Sequence, residues 1–510
     1  MYLLRKKTRQ NQMLRIVNPL IVIAIPAVLT YLLVTVYLNK SLLQFIPKWS
    51  DDLINWHQVA TFFKVGFNGG YYTVNEQAAA AAFTHFYAHG PMYPLLFGVF
   101  ANFTGWEFNT APFLNIIILT FSIAFFILYT KPNNFQLLLI GVTLLTCWPL
   151  HLYIATNMRE ALFLSFSFLY IAYFYKILIE GVNVKLFDLF MCFIVIVLMT
   201  LFKVTNVVFL IPYLLLIYRR FKPSKIYFIL ASFILIILLG FAGTWIMAPF
   251  PNNQFSEISA AFSVSLFSGL KKFIINTALN IGQFYLHGNI LFISMRAQLI
   301  LIIFAGFWLK LRAHRDKTTV QESLFVLISC ISSFILFIFL NDVGDWRDYR
   351  FFAPIVLTVA LLFISRKRVF LSLLLLSVNF VAFPNFLETY PKNILSAFPE
   401  IEVAKSISQF SEEISGIVKY DQALDGWGNT LLISRYMLGD RRILGVPAGI
   451  GISLFSTEEF DLQKLPEIKS RYLLLDEADY QTLTERSIPL EFKRQTSLGK
   501  LYLNQKLSPS

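Results

Sequence analysis

Residues 16–38 read IVNPLIVIAIPAVLTYLLVTVYL, an uncharged run that follows Arg5, Lys6, Lys7, Arg9 and Arg15. At ~1.5 Å per residue the run is long enough to cross a ~30 Å hydrocarbon layer. It exceeds the ~7–15 apolar residues of a secretory signal, and no small-residue cleavage site follows. It reads as an uncleaved first membrane span. Immediately beyond it, residues 49–63 read WSDDLINWHQVATFF. Two adjacent carboxylates, Asp51 and Asp52, precede Ile54, Trp56, Val59, Phe62 and Phe63. That spacing of about 3–4 residues predicts a helix lying on the membrane surface.

The rest of the chain extends this reading. Of 510 residues, 56% are hydrophobic, 14% are charged and 53 are Phe, with a mean hydropathy of +0.62. Repeated runs near ~18–20 apolar residues exclude a soluble globular fold. The net charge of +13 does not point to nucleic acid. Residues 390–510 hold 14 Lys/Arg and 16 Asp/Glu, so the first 389 residues carry +15. Of their 29 basic residues, 19 fall on one side of the expected membrane and 10 on the other. The excess is therefore a topology signal. Cys147, Cys192 and Cys330 lie scattered in apolar spans and form neither a disulfide framework nor zinc-ligand spacing.

After the first span, spans are expected at 108–130, 135–154, 161–179, 186–201, 204–218, 225–247, 297–311, 320–340, 351–364 and 369–386. Eleven spans place the N-terminus in the cytoplasm and the C-terminus outside, with every cluster of three or more basic residues cytoplasmic. Two long outer loops result, 39–107 and 248–295. Residues 94–104 are apolar but too short to cross, and belong at the interface or in a re-entrant segment. The organisation is mainly α: a polytopic transmembrane domain, 1–389, and a small extracytoplasmic α/β domain, 390–510. The latter follows from β-like runs at 431–433, 472–475 and 501–503 alternating with helical segments near 401–414 and 476–483.

This topology brings polar residues from several loops to one face of the membrane: Asp51, Asp52, His89, Arg159, Glu160, Lys203, Arg296, Asp345, Arg347, Asp348 and Arg350. Ionisable groups close to hydrocarbon are costly and mark function by default. Carboxylates and cations together suit transfer of a group from a lipid phosphate. One carboxylate takes the acceptor proton as general base, while Lys or Arg holds the phosphate and stabilises the leaving group. A single base and one in-line displacement invert the anomeric centre. Each element also has a plain structural reading. Ser50-Asp51-Asp52 suits a helix N-terminus; Arg159-Glu160 can be an interfacial pair. Lys203 can snorkel, Arg347 and Arg350 can pair with Asp345 and Asp348, and His89 can be a turn residue.

In their order along the chain, these motifs resemble the C-type membrane glycosyltransferases that use polyprenyl-phosphate sugars, including protein O-mannosyltransferases and lipid A aminoarabinose transferases. The matching elements are Ser50-Asp51-Asp52 with Trp56 and Ala60, then His89-Gly90-Pro91-Met92-Tyr93-Pro94-Leu95-Leu96. Arg159-Glu160-Ala161-Leu162, Leu201-Phe202-Lys203-Val204-Thr205 and Arg350-Phe351-Phe352-Ala353-Pro354 follow, ahead of an outer α/β domain. Two positions depart: paired prolines become Gly90-Pro91, and a Tyr becomes Phe351.

The resemblance implies that Asp52 or Asp51 is the base and that Glu160 helps arrange the site. It implies that Lys203, Arg347, Arg350 and Arg159 contact the donor phosphate, with His89, Tyr93, Lys271 and His287 on the substrate. The implied partners are a polyprenyl-phosphate-sugar donor in the lipid and a protein, lipid or polysaccharide acceptor. Some relatives bind a divalent cation and others do not, and no metal-ligand spacing here decides it. Two other classes compete. A polysaccharide polymerase or ligase using polyprenyl-diphosphate glycans would place its key Arg and His in a large later loop. A transporter or flippase would favour broken helices at mid-membrane and internal repeats.

Overall fold

The computed structural model describes residues 19–43, 45–66, 92–246, 253–286, 288–313, 316–340, 350, 352–395, 399–426, 428–434, 441–455, 457 and 468–507. Among them, seven helices are long and apolar enough to cross a membrane: α1 (Pro19–Tyr37), α4 (Thr110–Thr130), α7 (Glu160–Glu180), α9 (Leu210–Phe221) with the 3-10 turn Val204–Phe209 that leads into it, α13 (Ile290–Arg312), α14 (Lys317–Leu340) and α16 (Val369–Ile394). Shorter apolar helices are α5 (Asn134–Thr146), α8 (Leu186–Phe202), α15 (Ala353–Ser365) and the stretch Lys225–Gly240 of α10 (Lys225–Ile246). The chain is thus a multi-pass helical membrane protein.

Among the described residues, helix occupies each of the eleven stretches expected to span, and seven of these helices have the length and apolarity to cross. The stretch expected as span 135–154 is broken at Cys147, where α5 stops and α6 (Trp148–Tyr153) begins with Pro149 in its first turn. Proline supplies no N–H and forces this break. His151 closes it by bonding the carbonyl of Leu144 at 2.8 Å, since a bare carbonyl is costly inside a membrane. The expected outer loop 248–295 is largely helical, as α11 (Asn253–Val264) and α12 (Leu266–Leu286). Helix α13 starts at Ile290, seven residues before the expected 297, because Asn289 caps it by accepting from the backbone N–H groups of Leu291 and Phe292.

Helix α7 is the axis of the bundle. It is apolar all round, buried along most of its length, and packs against α4, α8 and α15. Its first residue, Glu160, is therefore mounted on a helix buried along most of its length.

Beyond α16 the chain forms α17 (Glu400–Ile414) and a five-stranded sheet of order β2-β1-β3-β5-β4. Strands β1 (Thr430–Ser434), β2 (Gly451–Phe455) and β3 (Tyr472–Leu475) are parallel. Strands β4 (Leu490–Gln495) and β5 (Lys500–Asn504) complete an antiparallel edge, and α18 (Glu477–Glu485) joins β3 to β4. Alternate residues bury opposite faces, as a period of two requires: Leu431, Ile433 and Leu474 on one, Leu432, Leu473 and Leu475 on the other.

The helix expected to lie on the membrane surface is enclosed by protein. Helix α2 (Ser50–Val65) is sandwiched between bundle and sheet domain. Val59 belongs to the core of the bundle, while Ile54 joins Phe410, Ile433 and Ile443 in the core of the sheet domain. Its polar residues Asn55, His57, Gln58 and Thr61 are buried as well. A helix enclosed on two sides cannot show the one-sided pattern of a surface helix, and that is why the sequence misleads there.

Candidate active site

Helix α2 begins at Ser50, with Trp49 as its N-cap residue and no side-chain cap bond, so Asp51 and Asp52 occupy the first turn where the helix dipole favours negative charge. They face different surroundings. Asp52 is fully buried. Its Oδ1 accepts the backbone N–H of Asn157 at 2.5 Å, while Oδ2 receives only a 3.4 Å bond from Asn157 Nδ2. Burial dominates and pushes the carboxyl up to about 7, against the lowering effect of the Asn157 bonds and the charge of Arg441. Asp51 is a third exposed and lies 3.7 Å from Arg350.

Asn157 sits in the loop between α6 and α7, and that loop is pinned from several sides. Asn55 donates to the carbonyl of Asn157 at 3.2 Å, and Asn115 donates to that of Thr156 at 2.8 Å. Asn157 Nδ2 also donates to the carbonyl of Phe108 at 3.2 Å. The partner of Asp52 is therefore fixed independently of Asp52.

Arg350 bridges two acids, with Glu160 Oε1 3.9 Å away in addition to Asp51. The other oxygen of Glu160 is buried without a hydrogen-bond partner. Arg159 precedes it and is buried, donating to the carbonyl of Phe202 at 2.6 Å. That bond brings the end of α8, and Lys203 with it, beside the start of α7. Helix α3 (Met92–Thr104) supplies Tyr93, also buried, whose hydroxyl has no partner and lies within electrostatic reach of Asp52, Arg159 and Glu160.

Asp51, Asp52, Tyr93, Arg159, Glu160 and Arg350 thus converge, with Lys203 on the neighbouring helix end. Lys271 is exposed on α12, which packs against α11 and α14. His89, His287, Asp345, Arg347 and Asp348 lie outside the described residues, and Arg296 sits on α13. Sequence reasoning missed Asn157, Asn55 and Gln58, whose side-chain amide is buried with neither atom bonded. It also missed Arg441. Asn157 had a signal, since it occupies the same short turn as Arg159 and Glu160.

Among the described residues, no group of three or more His, Cys, Asp and Glu side chains is disposed to hold a metal ion. Asp51 and Glu160 are instead held by Arg350, whose fixed positive charge does not suit a cation between them. A small pocket with room for little more than one water molecule lies among α5, α13, α15 and α16, lined by Cys147, Met295, Ala353 and Val356 and by the polar Thr143, Gln298 and Asn379. Its head, at Ala353, is three residues from Arg350.

Fold and site together define a multi-pass membrane protein with a polar, largely buried cluster where its helical bundle meets a small α/β domain. No family model and no curated protein matches this sequence.

Proposed function

We propose that the protein is an inverting glycosyltransferase that moves a sugar from a polyprenyl-phosphate donor to an acceptor hydroxyl at the outer membrane face. The observation that carries the reading is Asp52, a buried carboxyl raised to about 7 that feels the charge of Arg441 and lies beside the Asp51–Arg350 pair. A base near the working pH is both ionised and strong enough to accept a proton. Oδ1 is committed to Asn157, so Oδ2 is the oxygen left for the acceptor. The acceptor oxygen forms a bond to the anomeric carbon as the bond from that carbon to the phosphate oxygen breaks. The electron pair leaves with the phosphate, and the acceptor proton passes to Asp52. In this reading Arg350 and Lys203 neutralise the departing phosphate.

The basic residues support the orientation, because Lys131, Arg219, Arg220, Lys310, Arg312, Arg366 and Arg368 all lie at the end of the bundle away from Asp52. The acceptor is a protein, a lipid or a growing polysaccharide.

The test offers purified full-length protein a panel of radiolabelled polyprenyl-phosphate sugars and follows sugar leaving the lipid. Wild type is compared with a variant carrying both Asp51→Asn and Asp52→Asn. Release that needs the aspartates supports the reading. Equal release by the folded double variant overturns it, and consumption of polyprenyl-diphosphate glycans alone would favour a polymerase or ligase.

A further inference from the structure

Arg441 lies in the sheet domain, at the start of a 3-10 turn, Arg441–Gly445, that packs on both α2 and α17. The turn is held tightly. Ile443 is buried in the domain core, and a Cβ at Gly445 would come within 2.9 Å of the carbonyl oxygen of Ile407. The residue after the turn, Val446, accepts a 3.0 Å bond from His57 of α2. Arg441 therefore has little freedom to choose its position.

Its surroundings do not satisfy it. Arg441 is 8% exposed, and its Nη2 is buried without a hydrogen-bond partner. Two acids are near enough to act on its charge, Asp52 and Glu400. Both are otherwise engaged: Asp52 accepts from Asn157, and Glu400 pairs with Lys40 at 3.4 Å. A buried guanidinium without a close partner is costly, and the cost falls when an anion completes the site. The fork of an arginine matches phosphate oxygens in particular.

We infer that Arg441 binds a phosphate group at the junction of the two domains, so that the sheet domain supplies part of the membrane site. The inference rests on the glycosyl-transfer reading, which makes that phosphate the one on the lipid donor. Arg441 and Asp52 feel each other's charge across the junction, and no ion pair joins them among the described residues. A phosphate held by Arg441 would stand on the sheet-domain side of the site that holds Asp52.

The test measures binding to full-length protein in detergent of a polyprenyl monophosphate and of the matching neutral polyprenol. Wild type should prefer the phosphate. Arg441→Gln should lose about tenfold of that preference while binding polyprenol equally, and Arg441→Lys should retain most of it. If the glutamine variant does not fold, Arg441→Met carries the same comparison, since an apolar residue of similar volume is often tolerated in place of a buried charge. Inorganic phosphate forms a third arm. Stabilisation of wild type by that anion, lost in Arg441→Gln, assigns the same chemistry to a free source. An undiminished preference in a folded Arg441→Gln protein overturns the inference and leaves the transfer reading standing. Absence of any phosphate preference in wild type overturns both.

Discussion

The two ends of the bundle treat charge in opposite ways. At the end away from Asp52, Glu322 of α14 is fully buried and accepts from Arg368 at 2.8–3.3 Å and from Arg366 at 3.2 Å. Thr318 and Thr319 complete that network, and both also bond Asp316. Nearby, Asp188 pairs with Lys176 at 3.0 Å and accepts the hydroxyl of Tyr129, joining α4, α7 and α8. At the Asp52 end, the ion pairs of Arg350 with Asp51 and Glu160 are 3.7 and 3.9 Å long. Buried polar atoms of Gln58, Tyr93, Asn157, Glu160 and Arg441 there lack partners altogether. A closed network fixes structure, whereas an open one in a dry place costs stability and persists where a ligand completes it. The proposed reading accounts for the contrast by giving one end a structural role and the other a binding role.

The sharpest way to break that contrast is Asp52→Asn. Loss of a general base should lower transfer by about 10²–10⁴-fold, measured as sugar release per folded molecule. Stability should move the other way. The folded Asp52 carboxyl sits at about 7, above its ordinary 3.8, so the folded state binds more protons between those values. The stabilisation from the neutral form is complete below about pH 3.8 and is lost as pH rises through 7. Asn is neutral at every pH, so the variant should melt higher than wild type at pH 8, by up to about 4 kcal/mol of stability. The gain should vanish near pH 4. An unstabilised variant at pH 8 would mean that Asp52 is not held as a costly charge.

Glu322→Ala probes the other end. Removing one partner of a buried pair strands two guanidinium groups, and a loss of about 3–5 kcal/mol is expected in denaturant or thermal unfolding. Release per folded molecule should stay unchanged. A fall in activity without loss of stability would erase the distinction between the ends.

His57 gives a smaller, pH-dependent effect. Its Nε2 donates to Val446, and its Nδ1 accepts from Thr61, whose oxygen in turn accepts from the backbone N–H of Gly449. Burial lowers the imidazole to about 4, so below its ordinary 6.5 the unfolded chain takes up a proton that the folded chain refuses. Stability should therefore fall between pH 6.5 and 4, by about 3 kcal/mol, and a His57→Gln variant should lose that dependence. The measurement is the melting temperature across that range, with the Asp52→Asn background removing the opposing contribution.

The helices and the polar residues at their ends were legible because each is a local property of the chain. Asp51, Asp52, Arg159, Glu160 and Arg350 could be grouped once the hydropathy pattern sent their loops to one face. The sheet domain was legible in part. Strands β1, β3 and β5 read as apolar runs, while β2 opens on Gly451 and β4 carries Glu491, Lys493 and Arg494 on an exposed edge. What could not be read was contact between segments distant in sequence. Ile54 enters a core built from residues beyond 400, His57 bonds a carbonyl 389 residues away, and Arg441 reaches Asp52 across the same gap. No periodicity in α2 records such partners, and a site assembled at a domain junction is invisible to spacing rules for that reason.

The smallest expected effect separates the two aspartates. Asp51 lies next to Asp52, and its negative charge is one of the influences that raise the Asp52 carboxyl. Asp51→Asn should therefore lower the Asp52 value and move the acid limb of the rate profile to lower pH, by less than about one unit, because Asp51 is partly exposed and already neutralised by Arg350. The rate at pH 8 should change little. Freed from Asp51, Arg350 keeps Glu160 as its acid partner, so the cation stays beside the site. An Asp51→Asn protein that is folded but inactive at every pH would transfer the role of base to Asp51. A limb that moves upward would mean that the group being titrated is not a carboxylate facing another negative charge.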